Sequence, residues 1–164
     1  MIVSSKCKIQ MSVTERQNKI CKKKKKIKRE IFNMSDKLRV GILGGTGMVG
    51  QRFITLLENH PWFEVVLVAA SGRSAGKLYE EAVDGRWKMA VDMPEYVKKM
   101  TVYDMDKDFD EIVSKVDFVF CAVNMPKDEI KALEERYAKA EVPVVSNNSA
   151  NRWTPDVPMV VPEI

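Results

Sequence analysis

Leu38-Arg39-Val40-Gly41-Ile42-Leu43-Gly44-Gly45-Thr46-Gly47-Met48-Val49-Gly50 is the stretch on which the fold is decided. Its first six residues are largely apolar and strand-like, and a glycine cluster ends them. Gly45, Gly47 and Gly50 then spell G-x-G-x-x-G. Alone that spacing is weak evidence. Here it follows a predicted strand and opens a predicted helix, Met48–Asn59, whose Val49, Phe53, Leu56 and Leu57 recur at helical spacing. Glycine permits the tight turn and lets a diphosphate approach the backbone, where unpaired N–H groups and the positive helix end can bind it. A turn that merely packs strand on helix is the competing reading. The context favours dinucleotide binding by Gly44, Gly45, Thr46, Gly47, Met48, Val49 and Gly50.

Outward from the turn, strands and helices alternate. Asn59-His60-Pro61 stops the first helix, and Phe63–Ala70 reads as a second buried strand. A weaker strand at Met100–Tyr103 precedes a helix around Asp108–Lys115. Asp117–Val123 reads as another central strand, Lys127–Ala140 as a helix with Ile130, Leu133 and Tyr137 on one face, and Pro143–Ser146 as the next strand. Near-continuous apolar strands separated by amphipathic helices imply an α/β fold, a doubly wound parallel sheet of Rossmann type. No internal repeat is visible. Ser71–Arg86 is polar, loop-like or partly helical, and its place is not fixed by pattern.

The end of the second strand bears on which dinucleotide is held. A site preferring NAD places Asp or Glu there, about 20 residues after the glycines, to bond the ribose 2′-hydroxyl. No carboxylate stands between Val65 and Tyr79. Ser71, Arg73, Ser74 and Lys77 offer hydroxyls and two cations instead, which suits a 2′-phosphate and favours NADP. A solvated polar loop is the alternative. Asn147, Asn148 and Ser149 follow a strand end, where open α/β sheets bind ligands, although Asn/Ser turn chemistry explains them equally well. The lone histidine, His60, sits where contact with a helix C-terminus accounts for it.

The chain has 164 residues, 45% of them apolar, which is room for one domain of ordinary size. Charge is divided unevenly: residues 1–36 carry a net +8 and residues 37–164 a net −4. Residues 1–35 are expected to be a disordered basic tail, because five adjacent lysines, Lys22–Lys26, repel one another without apolar compensation. Residues 36–164 form the expected nucleotide-binding domain. The tail is either a patch for nucleic acid or anionic lipid, or an extended start before Met34-Ser35-Asp36-Lys37, with Met34 as the initiator. Cys7, Cys21 and Cys121 are too few and too scattered for a disulfide scaffold or a metal site, which fits a reducing cytoplasm. No apolar run is longer than that of Val65–Ala70, which falls far short of the roughly 18 residues of a membrane helix.

Taken in order, these segments resemble aspartate-semialdehyde dehydrogenase of the archaeal and fungal-like type. The resemblance runs from Lys37 to Ile164. It rests on the Gly44–Gly50 turn, Ala69–Lys77, Val119–Val123, Ser146–Arg152 and Asp156–Ile164. It implies an NADP-dependent oxidoreductase that reduces aspartyl 4-phosphate to aspartate 4-semialdehyde in amino-acid biosynthesis. A cysteine thiolate, a histidine acid/base and substrate-holding arginines would do the chemistry. By that resemblance the catalytic residues are expected beyond Ile164, so this chain is expected to be a nucleotide-binding fragment, inactive alone, lacking the second, catalytic and dimerisation domain. Cys121, where the family often has serine, is expected with Ala122 to line the nucleotide pocket. The small-molecule substrate and a homo-oligomer are implied for the full-length enzyme only. No membrane partner is expected, and nucleic acid only through the tail. Self-association of the incomplete domain is also expected. Alternatives are a malonyl-CoA reductase type of acyl-thioester reductase, or a non-enzymatic nucleotide- or nucleic-acid-binding module.

Overall fold

The computed structural model describes residues 37–160, so the expectations for the lysine-rich tail lie outside the described residues. The chain runs β1 (Leu38–Leu43), α1 (Met48–Leu57), β2 (Phe63–Ala70), α2 (Tyr79–Val83), α3 (Glu95–Lys98) and β3 (Val102–Asp104). It continues through α4 (Phe109–Lys115), β4 (Phe118–Cys121), α5 (Lys127–Lys139) and β5 (Val144–Ser146). The five strands form one sheet in the order β3-β2-β1-β4-β5, and every pairing is parallel.

Local chemistry sets the boundaries. Asn59 takes a left-handed conformation, φ 53°, just past the end of α1, and Pro61 follows it. In α5, Asp128 and Glu129 stand in the first turn and Arg136 and Lys139 in the last, each complementing the helix dipole. Glu141, φ 60°, turns the chain out of that helix toward β5.

Side chains alternate across the sheet and supply two cores. Val40, Ile42, Val65, Val68 and Val102 pack under α1, α2 and α3 through Ile54, Leu57, Tyr79, Val83 and Val97. Leu43, Leu67, Val119 and Cys121 face the other way, under Phe109 and Ile112 of α4 and Ile130, Leu133 and Tyr137 of α5. Both faces are therefore covered, which is why the strands are apolar nearly throughout. One irregularity interrupts the alternation. Val40 pairs with Val65 but Gly41 pairs with Leu67, so Val66 is an extra residue in β2. Val66 and Leu67 consequently face the same core. After the bulge Val68 points to the α1 face, beneath the glycine turn.

Candidate functional site

The loops after β1 and β4 leave the centre of the sheet for opposite faces, α1 packing on one and α5 on the other. Where strand order reverses in this way, a crevice opens at the carboxyl ends of the two strands. The glycine turn occupies it. Ala122 N–H donates to Leu43 O at 2.9 Å, and Gly44 N–H and Gly45 N–H reach back to Ala69 O at 2.8 and 3.2 Å. The turn is thus tied to both neighbouring strands.

The glycines differ in what they are for. Gly44 has φ +78°, and a Cβ there would stand 2.6 Å from Ala122 O. A Cβ at Gly45 would collide with Val68, and one at Gly50 would lie 2.5 Å from Gly44 O. A Cβ at Gly47 would touch nothing but Gly44 O, at 3.4 Å. Three glycines therefore let backbone and core close up, and Gly47 leaves open room. Gly47 is also the N-cap of α1, with no side-chain cap and no acidic residue in the first turn. The Met48, Val49 and Gly50 amides have no intrahelical acceptor by the geometry of a helix start. Gly47, Met48 and Val49 are exposed. This uncapped helix end with space in front of it fits a diphosphate of a dinucleotide.

Two buried side chains that pattern reading did not single out brace the turn. The Tyr79 hydroxyl donates to Gly45 O at 2.7 Å. Gln51 Nε2 donates to Thr46 O at 3.1 Å and to Arg86 O at 2.9 Å, while its Oε1 accepts Lys88 N–H at 2.8 Å. A glutamine inside an otherwise amphipathic helix was the available signal. Of its partners, Arg86 ends the segment whose place pattern could not fix and Lys88 lies just past it.

Ser71, Arg73, Ser74 and Lys77 share one loop beyond β2, at the same end of the sheet. Ser74 N–H donates to Ser71 O at 2.9 Å, and β3 pins the far side through Gly76 N–H to Val102 O at 2.8 Å. Ser71, Arg73 and Lys77 are exposed and Ser74 is buried. Among the described residues neither Arg73 nor Lys77 joins an ion pair. A carboxylate does approach this loop, from β3: Asp104 Oδ2 stands 3.0 Å from where a Gly72 Cβ would be. Its other oxygen accepts Asp106 and Lys107 amides at 3.0 and 3.2 Å, which hold the carboxyl below the usual range.

Cys121 does not line an opening through its sulfur. The side chain is fully buried in the α4–α5 core, and burial pushes the thiol up to about 11. At the Cys121-Ala122 step the backbone meets the glycine turn, Ala122 N–H bonding Leu43 O and Ala122 O lying beside Gly44. Asn147 N–H donates to Cys121 O at 3.3 Å, and the Asn147 side chain lines a cavity of about 1060 Å³ between β5, α5 and residues 151–160. In that region the buried Glu134 carboxylate accepts the Ser146 hydroxyl and, at 2.7 Å, Asn151 Nδ2. His60 caps the end of α1, its backbone N–H donating to Leu57 O at 3.1 Å, and its ring is held by neighbours: Nδ1 accepts Trp62 N–H at 3.2 Å and the ring stacks on Phe63 at 4.6 Å. No group of His, Cys, Asp and Glu suited to a metal occurs among the described residues, and none of their helices is long and apolar enough to cross a membrane.

Known proteins share this fold and much of this sequence. Residues 39–164 match the family described as semialdehyde dehydrogenase, NAD binding domain. The aspartate-semialdehyde dehydrogenase of Methanothermobacter thermautotrophicus is 46% identical over 127 residues, 77% of this chain and 34% of that one. The enzyme of the same name from Archaeoglobus fulgidus is 42% identical over 125 residues, 76% of this chain and 34% of that one. The crystal structure of the Candida albicans aspartate-semialdehyde dehydrogenase with NADP superposes with a TM-score of 0.67 at 38% identity, covering 77% of this chain and 34% of that one. The chain spans about a third of the length of the curated relatives it matches.

Proposed function

Because the chain belongs to the semialdehyde dehydrogenase family through its NAD-binding domain, we propose that it is the coenzyme-holding part of an NADP-dependent aspartate-semialdehyde dehydrogenase. The reaction of the whole enzyme would be reductive dephosphorylation of aspartyl 4-phosphate to aspartate 4-semialdehyde, in amino-acid biosynthesis and in the cytoplasm. The observation that carries the reading is the uncapped start of α1, set behind an open Gly47 in the crevice between β1 and β4.

Each part of the coenzyme has residues suited to it. The amides of Thr46, Met48, Val49 and Gly50 would take the diphosphate. Ser71, Arg73 and Lys77 would take the ribose 2′-phosphate, for which two exposed cations are well matched. Ser74, being buried, would serve by shaping that loop. Ala122, through its backbone, would line the crevice toward the nicotinamide. Bound NADPH supplies a hydride donor. Cys121 would take no part as a nucleophile, since a buried thiol with its pKa raised to about 11 stays protonated at neutral pH. The catalytic thiolate, the acid/base and the substrate arginines belong, in this proposal, to the portion of the relatives' length that the chain does not match. A homo-oligomer is likewise proposed for the whole enzyme.

The test is a calorimetric titration of the chain with NADPH and with NADH. NADPH is expected to bind at least about tenfold more tightly, and the double change Arg73→Ala with Lys77→Ala to erase the difference, as loss of charge-assisted phosphate bonds would. Absence of heat with both coenzymes would sink the reading. Equal binding of the two would leave a dinucleotide site but remove the preference for NADP.

A further inference from the structure

A turn that faces an anion must hide its acceptors as well as display its donors. The glycine turn has three carbonyl oxygens to dispose of, and each has a donor. Gly44 O accepts Gly47 N–H at 3.1 Å, within the turn itself. Gly45 O and Thr46 O receive theirs from side chains that lie outside it, Tyr79 on α2 and Gln51 on α1. Both side chains are essentially without solvent exposure, 0% and 1%.

The consequence follows from peptide geometry. In a trans peptide the C=O and N–H bonds point in opposite directions. An inward Gly45 carbonyl therefore turns the Thr46 N–H outward, and that N–H has no backbone acceptor among the described residues. It stands two residues before Met48, where the orphan amides of the first turn of α1 begin. Nor are the two donors free to wander. Gln51 also binds Arg86 O and Lys88 N–H, so its amide is fixed on both sides. Tyr79 N–H is held by Met100 O at 2.8 Å, and burial keeps its phenol protonated as a donor.

We propose that Tyr79 and Gln51 are positioning residues of the coenzyme site: they hold the Gly45 and Thr46 carbonyls toward the core, so that the turn offers a diphosphate N–H groups and no oxygen. This rests on the reading of the turn as a diphosphate site, and it extends that site to α2 and to the Arg86–Lys88 loop. Neither residue would touch the coenzyme, since both side chains are buried. Their effect is on the orientation of two peptide groups.

The experiment compares Tyr79→Phe, Gln51→Leu and a control, Tyr96→Phe, in the full chain. Tyr96 also spends its hydroxyl on a backbone oxygen, Ile54 O at 2.9 Å, but in the middle of α1 and away from the turn. Two probes are titrated: NADPH, and adenosine 2′-monophosphate, which carries the 2′-phosphate without a diphosphate. Tyr79→Phe and Gln51→Leu are expected to weaken NADPH about tenfold, the worth of roughly one hydrogen bond, while adenosine 2′-monophosphate binds as before and Tyr96→Phe changes neither. The proposal is overturned if the two variants weaken both probes alike, or if Tyr96→Phe matches Tyr79→Phe. Should Gln51→Leu lose its cooperative melt, the unsubstituted chain decides by NMR. Inorganic pyrophosphate should then move the amide resonances of Thr46, Met48 and Val49 together. A Thr46 resonance that stays in place while the helix amides move overturns the proposal. If the unsubstituted chain takes up no NADPH at all, the coenzyme reading itself has failed, and no variant is needed to see it.

Discussion

Gly44 and Gly47 stand three positions apart and meet opposite demands. Gly44 is required by the chain itself, with a positive φ and Ala122 O pressed against it. Gly44→Ala is expected to destabilise the domain by about 1–3 kcal/mol through backbone strain, with further loss from the clash, seen as a lower urea midpoint. Gly47 is required by what comes to it. Gly47→Ala places a methyl in open room at an ordinary φ of −80°. Its urea midpoint should stay near that of the unsubstituted chain while NADPH affinity falls. Equal destabilisation by the two changes would contradict the division of roles. Cys121 yields a prediction in pH. Burial raises its folded-state pKa from 9 to about 11. The folded thiol then keeps its proton where the unfolded one has lost it, so stability is intact below pH 9 and declines from 9 to 11. The loss amounts to about 2–3 kcal/mol at most. Cys121→Ser should flatten the first part of that decline in thermal melts at stepped pH. The raised phenols of Tyr79, Tyr96 and Tyr137 add to it further up.

At the scale of elements, strands of continuous apolar residues were readable because each is buried on two faces. β1 and β2 fall at Leu38–Leu43 and Phe63–Ala70, as their apolar runs indicate. The long amphipathic helices α1 and α5 also emerge with their starts in place, and the parallel doubly wound architecture follows from the alternation. Three things were not readable. The short helices α2 and α3 lie in a polar stretch whose order comes from distant partners, such as Tyr79 to Gly45 and Tyr96 to Ile54. Asp104 reaches the loop after β2 from a neighbouring strand, which linear spacing from the glycines does not reveal. The inward thiol of Cys121 depends on which face of β4 it occupies, and an unbroken apolar run does not say. The bulge in β2 is a fourth matter of register, and it can be tested by shortening the strand. Since Val66 and Leu67 face one core, deleting Val66 restores strict alternation and keeps the pairing of β1. Deleting Val119 from β4, whose pairing with β1 carries no extra residue, would instead send the residues on one side of the gap to the wrong face. The Val66 deletion is expected to retain a cooperative urea transition and the Val119 deletion to lose it. The reverse ranking would disprove the assignment of the extra residue.

For the molecule as a whole, the sheet ends at β5, three residues long, with Val145 half exposed on it. Trp153, Met159 and Val160 add apolar surface on the segment that follows, 58 to 86% exposed. An edge of this kind invites pairing with a second copy. Sedimentation is expected to show weight-average mass rising with concentration, and Val145→Lys to bring it back toward the monomer. A concentration-independent monomer would refute this. The Glu134 anchor has a separate consequence. Its carboxylate is satisfied by two neutral donors, Ser146 and Asn151, and among the described residues it joins no ion pair. Added electrolyte screens pairs of exposed charges but hardly touches a buried bond between an anion and an uncharged group. The stretch from 147 to 154 should therefore keep its place in brine, whereas any hold that Arg73 and Lys77 exert on a phosphate slackens. Ionic strength then acts as a dial that loosens the grip on the ligand while leaving the scaffold unmoved.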